Sequence, residues 1–265
     1  MLRVNLKKKN GLKNLEIVIL TSLGVGASTV IGALFGFIFG SLSKRASDIV
    51  LAFGAGVMLW AAVFGLIMPS IEYGGELAVL ITPMGVMIGG VIITLIDNLL
   101  PRLDGALLGE DCDDPDERLR RRKVILFVLA IAIHNLPEGI ASGVAFGTDN
   151  IGDALLVSVS IALQNFPEGM VLISPMISIG ISRKRAFLYA SLTGLVEVVG
   201  ALFGYFAVSV SSALLPLFLA IAGGCMLYVI SDEMIPETHS HGSGRAASFA
   251  LIVGFLAMVL FDIFV

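Results

Sequence analysis

Charge is scarce in this chain. Only 14% of its 265 residues are Asp, Glu, Lys or Arg, against about 25% in an ordinary soluble domain. The longest polar interval covers only 101–123, so a sizeable water-soluble domain is excluded. Cysteine is nearly absent. Cys112 lies in that polar interval and Cys225 in an apolar run, so no disulfide framework holds the fold. There is no Gly-x-x-x-x-Gly-Lys-Ser/Thr loop to cradle nucleotide phosphates, which disfavours ATP-driven work. There is no His-Glu-x-x-His helix either, which disfavours a metalloprotease within the membrane. No enzyme activity, enzyme cofactor or nucleic-acid partner is expected.

What remains is hydrocarbon. Hydrophobic residues make up 57% of the chain and the mean hydropathy is +0.96. A helix needs about 20 mostly apolar residues to cross a bilayer. Eight runs qualify: Leu15–Leu42, Ile49–Met68, Leu77–Leu100, Val124–Phe146, Ala154–Ile181, Ala186–Val210, Ala213–Ile230 and Ala246–Phe264. The sixth and seventh form one long stretch with a single charge, Glu197, divided at Ser209–Ser212 with Pro216 just beyond. Runs of this length predict helices, because backbone groups in lipid must be satisfied within their own segment. The expected fold is an all-α polytopic membrane protein: one transmembrane domain over 15–265 behind a basic N-terminal tail, 1–14. Residues Ile17–Ser43 carry no charge over 27 positions. That is longer than a signal-peptide core of roughly 7–15 residues, so a retained span is expected.

Lys and Arg set the orientation. The loops after the first, third, fifth and seventh runs carry 2, 6, 3 and 1 of them, and the loops after the second, fourth and sixth carry none. The positive-inside rule places the first set in the cytoplasm, including a cytoplasmic loop at about 101–123. Both termini then lie outside a plasma membrane. The tail, with Arg3, Lys7, Lys8, Lys9 and Lys13, opposes this and is outvoted.

The chain repeats itself. Leu51–Trp60 matches Leu219–Tyr228 at five of ten positions, in runs that cross in opposite senses. More telling are two polar blocks, His134-Asn135-Leu136-Pro137-Glu138-Gly139 and Gln164-Asn165-Phe166-Pro167-Glu168-Gly169. Ionisable groups at membrane depth are costly and mark ion or substrate paths. His134 and Glu138 are four apart and share a helix face, as do Gln164 and Glu168, with Asn135 and Asn165 on the flanks. Each proline removes an N–H and frees carbonyls in the preceding turn. Two such helices meeting face to face offer two carboxylates, an imidazole and amide oxygens, a set suited to zinc, iron or manganese. Lacking thiolate, the site should bind loosely enough to release. Opposed repeats point to a transporter with its site near the midplane.

Further residues join by position. Glu197 either completes the site, relays protons, or bonds a neighbouring hydroxyl such as Ser191 or Thr193. Met58 and Met226 occupy matching repeat positions, as packing or as soft contacts in transit. Asp232, Glu233, Glu237, His239 and His241 form a candidate exit vestibule or a solvated loop. Glu72, Glu76 and Asp149 are candidates for an entrance. The acids from Glu110 and Cys112 offer weak metal binding at most.

At these residues the chain resembles the ZIP (Zrt/Irt-like protein) family of divalent metal transporters, in particular its bacterial GufA-like branch. The resemblance rests on the two blocks, Glu197 and Asp232-Glu-Met-Ile-Pro-Glu237. It implies eight helices in a 3+2+3 inverted-repeat arrangement, a homodimer, and uptake of zinc or iron into the cytosol. By position it implies a first metal site of His134, Glu138, Gln164 and Glu168, and a second of Asn135, Glu138, Asn165 and Glu197. Relatives commonly carry Asp where Asn165 stands, so the second site is one charge poorer here. Manganese and cadmium stand beside zinc and iron as candidate ions, and the metal enters as substrate. A membrane metal sensor or scaffold that binds without transport is the alternative function.

Overall fold

The computed structural model describes residues 2–39, 43–107, 115–148, 150–240, 242 and 244–264, and among them it contains helices and no strand. Its α-helices are α1 (Leu2–Phe39), α2 (Lys44–Trp60), α3 (Met68–Gly74), α4 (Ala78–Leu107), α5 (Pro115–Ala145), α6 (Ile151–Ser178), α7 (Arg183–Val210), α8 (Leu215–Val229), α9 (Ile235–His239) and α10 (Gly244–Phe264). Two π-helical stretches, Ala61–Ile67 and Ile230–Met234, join α2 to α3 and α8 to α9. Composition did not signal them. Helix also runs back through the basic tail to Leu2, and α4 continues past Leu100 to Leu107.

Local chemistry sets the boundaries. Ser43 accepts a hydrogen bond from the Ala46 N–H and starts α2; Asn150 accepts one from Gly152 and starts α6. Both satisfy N–H groups that a helix start leaves unpaired. Gly75 adopts φ 54°, open to glycine at little steric cost, and reverses the chain. The Ser70 and Thr82 hydroxyls then meet at 2.8 Å across this turn. The helix breaks between Val210 and Leu215, where the serines were expected to divide it.

Among the described residues, six helical stretches are long and apolar enough to cross a membrane, the second of them, Lys44–Ile96, being the run that reverses at Gly75. Leu80, Met84, Met87, Val91 and Leu95 on α4, and Phe249, Val253, Leu256 and Leu260 on α10, point outward and exposed. Apolar faces of this size are not left to water; they face lipid. The protein is a multi-pass membrane protein.

The helices pack in two groups. One is α1, α5, α6 and α7; the other is α2 with its π-helical extension, α4, α8 and α10. Glycine–backbone contacts build both, since a small residue lets two helix axes approach. A Cβ on Gly139 or Gly143 would strike the Glu197 or Ala201 carbonyl of α7, and one on Gly169 or Gly32 would strike the Thr29 or Phe166 carbonyl across the α1–α6 seam. In the second group Gly56 and Gly254 seat α2 on α10, and Gly89 and Gly224 seat α4 on α8. These seams repeat. Gly32 lies on Phe166 as Gly200 lies on Leu136, and Gly36 lies on Met170 as Gly204 lies on Ile140. The repeat thus reaches well beyond Leu51–Trp60.

Candidate metal site

The two blocks lie midway along α5 and α6, each with its proline inside the helix. A helix-interior proline costs about 3 kcal/mol, so the surrounding packing must impose it. That packing is not between the two Pro-Glu-Gly turns. Gly139 locks α5 to α7 and Gly169 locks α6 to α1, so each block is clamped from outside while its polar side chains face the interior.

His134, Asn135, Glu138, Gln164, Asn165, Glu168 and Glu197 are all buried. Gln164 Nε2 donates to Glu138 Oε2 and to Asn165 Oδ1, both at 2.6 Å. Glu197 is gripped from three sides: Asn135 Nδ2 and Asn165 Nδ2 each donate to it at 2.7 Å, and Thr29 Oγ1 donates at 3.1 Å. The hydroxyl partner of Glu197 is therefore on α1. Ser191 and Thr193 instead bond their own helix, at Phe187 and Ala190, because a helical hydroxyl reaches the carbonyl one turn back more readily than a neighbour's carboxylate.

Oxygens dominate what is left over. Among the described residues, Asn135 Oδ1, Glu138 Oε1, Gln164 Oε1 and Glu168 Oε2 are buried and accept no hydrogen bond. A buried acceptor left unpaired costs about 1–3 kcal/mol. Four of them come from the two blocks, beside carboxylates Glu138, Glu168 and Glu197 that repel one another. Such a set is matched by a cation. Among the described residues no three His, Cys, Asp or Glu side chains stand in ligating position by themselves; the acceptors here are a mixture of carboxylate and amide.

His134 points the other way. Its Nε2 lies 2.8 Å from Glu233 Oε1 on the π-helical stretch after α8. His134 and Glu168 line a cavity of about 410 Å³ together with Asp232, Glu233 and Glu237. Leu51 near the start of α2 and Ser240 just before α10 also line it, which sets it toward the Lys/Arg-rich end of the bundle with Lys44, Arg45, Arg183, Lys184, Arg185 and Arg245. Of the other expected path residues, Met58 and Met226 are fully buried in the apolar core. Glu72 is exposed near the opposite end of the bundle. His239 is exposed too, but ties α9 to α10 through Ile235 and Ser248. Asp149, His241, Glu110 and Cys112 lie outside the described residues.

Sequence reasoning missed Thr29 and the reach of Glu233 to His134. The repeat held the first signal: Thr29 and Glu197 are 168 positions apart, the spacing of Leu51 and Leu219, so Thr29 is the repeat mate of Glu197.

Fold and site together define a class: a helical membrane protein that buries carboxylates and amides where the two block helices meet α7, with an imidazole turned to the adjoining cavity. The particular family follows from comparison. The family model described as ZIP Zinc transporter matches residues 106–262. The "Zinc transporter GufA" of Myxococcus xanthus is 39% identical over 250 residues, covering 92% of this chain and 97% of that protein. The "Zinc transporter ZIPB" of Bordetella bronchiseptica is 35% identical, covering 89% and 77%, and human "Zinc transporter ZIP11" is 30% identical, covering 89% and 93%. The chain belongs to the ZIP zinc transporter family, as the two blocks led one to expect.

Proposed function

We propose that this chain carries divalent metal cations, zinc first among them, into the cytoplasm through a site built by His134, Asn135, Glu138, Gln164, Asn165, Glu168 and Glu197. The observation that carries the reading is the set of four buried oxygens without hydrogen-bond partners, all from the two blocks. Family membership and the names of the relatives support zinc as substrate. Carboxylates offset the double charge of the ion, and amide oxygens replace its water. The protein is a transporter and not an enzyme on this reading.

The rest of the reading builds on the site. Eight spans in a 3+2+3 inverted repeat accommodate the helices, the reversal at Gly75 and the repeated glycine seams. The Lys/Arg distribution supports both termini outside a plasma membrane. Resemblance to the family supports a homodimer. The ion enters from outside, on the side of Glu72, and leaves through the cavity past His134 and Glu233. The two helix groups supply the bodies for an elevator-like movement, with α1, α5, α6 and α7 carrying the site. A metal ligand must be deprotonated, so acidification weakens binding and lowers uptake most at limiting zinc.

The test is zinc influx into proteoliposomes reported by a trapped fluorescent chelator. Glu168→Ala should abolish influx while its elution profile and helical content stay those of the wild type. Full influx in that variant would remove the site from the path; binding without influx in the wild type would make the protein a sensor.

A further inference from the structure

A second cavity, of about 640 Å³, lies between α5, the end of α6 and α7. It is distinct from the metal-site cavity and shares no residue with it. Its walls are hydrocarbon, with Val124, Val128 and Leu129 on α5, Met176 on α6, and Leu192 and Val196 on α7. One end is different: Arg121, Arg185 and Tyr189 stand there. That end lies beside the first turn of α7, whose Ser182 makes no side-chain cap, so a positive dipole end adds to the two guanidinium groups. The open side is continuous with the exposed α7 stripe of Leu188, Leu192, Leu195 and Val199, which faces lipid.

We propose that this groove holds an anionic phospholipid of the cytoplasmic leaflet, its phosphate between Arg121 and Arg185 and an acyl chain along the apolar wall. Two observations commit it to that occupant. The polarity is split, cationic at one end and apolar along the rest, which fits an amphiphile rather than a free anion. The cations also stand at the Lys/Arg-rich end of the bundle, where basic pockets between spans meet anionic headgroups.

The inverted repeat supplies an internal control. The mates of Arg121 and Arg185 are Ile151 and Ile17. The guanidinium groups are thus not a relic of duplication; on the orientation proposed above, on which this inference rests, they stand at the cytoplasmic leaflet, the anionic one. The walls are the helices that carry His134 and Glu197, and Val196 directly precedes Glu197, so a seated lipid braces the site-bearing group.

Binding is measured directly, without reference to transport. Protein purified in detergent is offered phosphatidylglycerol or phosphatidylcholine in mixed micelles, and retained lipid is counted by native mass spectrometry. The wild type should retain one phosphatidylglycerol in preference to phosphatidylcholine by about thirtyfold, each cation near an anionic headgroup contributing roughly fivefold. Arg121→Gln with Arg185→Gln should erase the preference. Leu192→Trp, which fills the groove at a half-exposed position, should abolish retention of either lipid with both arginines in place. Unchanged preference in the double variant, or unchanged retention in Leu192→Trp, overturns the proposal. Displacement of the lipid by millimolar inorganic phosphate overturns it too, and marks a simple anion site. If the double variant does not fold, Leu192→Trp decides alone.

Discussion

The two ends of the bundle are built on one plan and do opposite things. Each repeat passes from an α-helix into a π-helical stretch, after Trp60 in one and after Val229 in the other. On the cationic end, the stretch Ile230–Met234 sets Asp232 and Glu233 at the cavity that also reaches His134 and Glu168. On the other end, Ala61, Ala62 and Leu66 are fully buried, and Gly65, the mate of Glu233, presses on Val157. Ile131 lines the cavity, while its mate Ile161 is wholly buried. A common backbone therefore does not decide access; side chains do. Glycine and alanine let the helices close on one side, and carboxylates that must stay hydrated hold them apart on the other. π-helical stretches often mark functional positions, and here both flank the polar centre.

The largest effect that can break this comparison is one of solvent access. In a background lacking Cys112 and Cys225, Asp232→Cys should react freely with a water-soluble thiol reagent. Ala62→Cys should react on the order of 100-fold more slowly, the protection given by about 3 kcal/mol of local opening. Equal rates would show that the closed end is as wet as the open one. A second, smaller effect tests the carboxylate itself. Glu233→Gln keeps the shape but removes the charge facing His134, and a hydrogen bond to a charged group contributes about 1.5–3 kcal/mol. Zinc uptake should fall roughly tenfold, whereas Phe64→Leu, at the mate of Asp232, should leave it within about twofold. Comparable losses in both would deny the two ends different roles.

The comparison also shows what a sequence can and cannot disclose here. Run length was sufficient to show that the chain is helical and to find the break at Ser209–Ser212, because a bilayer imposes span length and the serines interrupt the apolar run. The two blocks were legible because their polarity has no other reason to be there. The π-helical stretches were not, since Ala61–Ile67 is as apolar as the α-helix before it and one extra residue per turn leaves no compositional trace. Thr29 was missed because its partner is distant in the chain; only the repeat spacing links it to Glu197. Within the blocks the glycines and the polar side chains face different neighbours. The glycines' bare faces point outward to α7 and α1, and the side chains, not the glycines, meet in the middle.

Asn165 offers a finer test within the site. It donates to Glu197 at 2.7 Å, as Asn135 does on the other oxygen. Asn165→Asp removes one donor and sets two carboxylates in contact. Without metal this should lower thermal stability by about 1–3 kcal/mol, the cost of an unpaired buried group. With zinc the deficit should vanish, because a dication between the carboxylates replaces the lost N–H. A melting series with and without chelator distinguishes the outcomes; a zinc-insensitive deficit would mean that no ion reaches this pair of oxygens.

The smallest effect concerns Met58 and Met226, repeat mates that are both fully buried in the apolar core. Neither thioether lines the cavity, so both read as packing. Met→Leu conserves volume and costs under about 1.5 kcal/mol in such places. Met58→Leu and Met226→Leu should each melt within a few degrees of the wild type and take up zinc at its rate. Met58 belongs to the closed end, so a loss of uptake confined to Met58→Leu, at unchanged stability, would show that the ion touches its sulfur when that end opens. Equal, silent behaviour of the two would leave the carboxylates and amides between α5 and α6 as the groups that handle the ion.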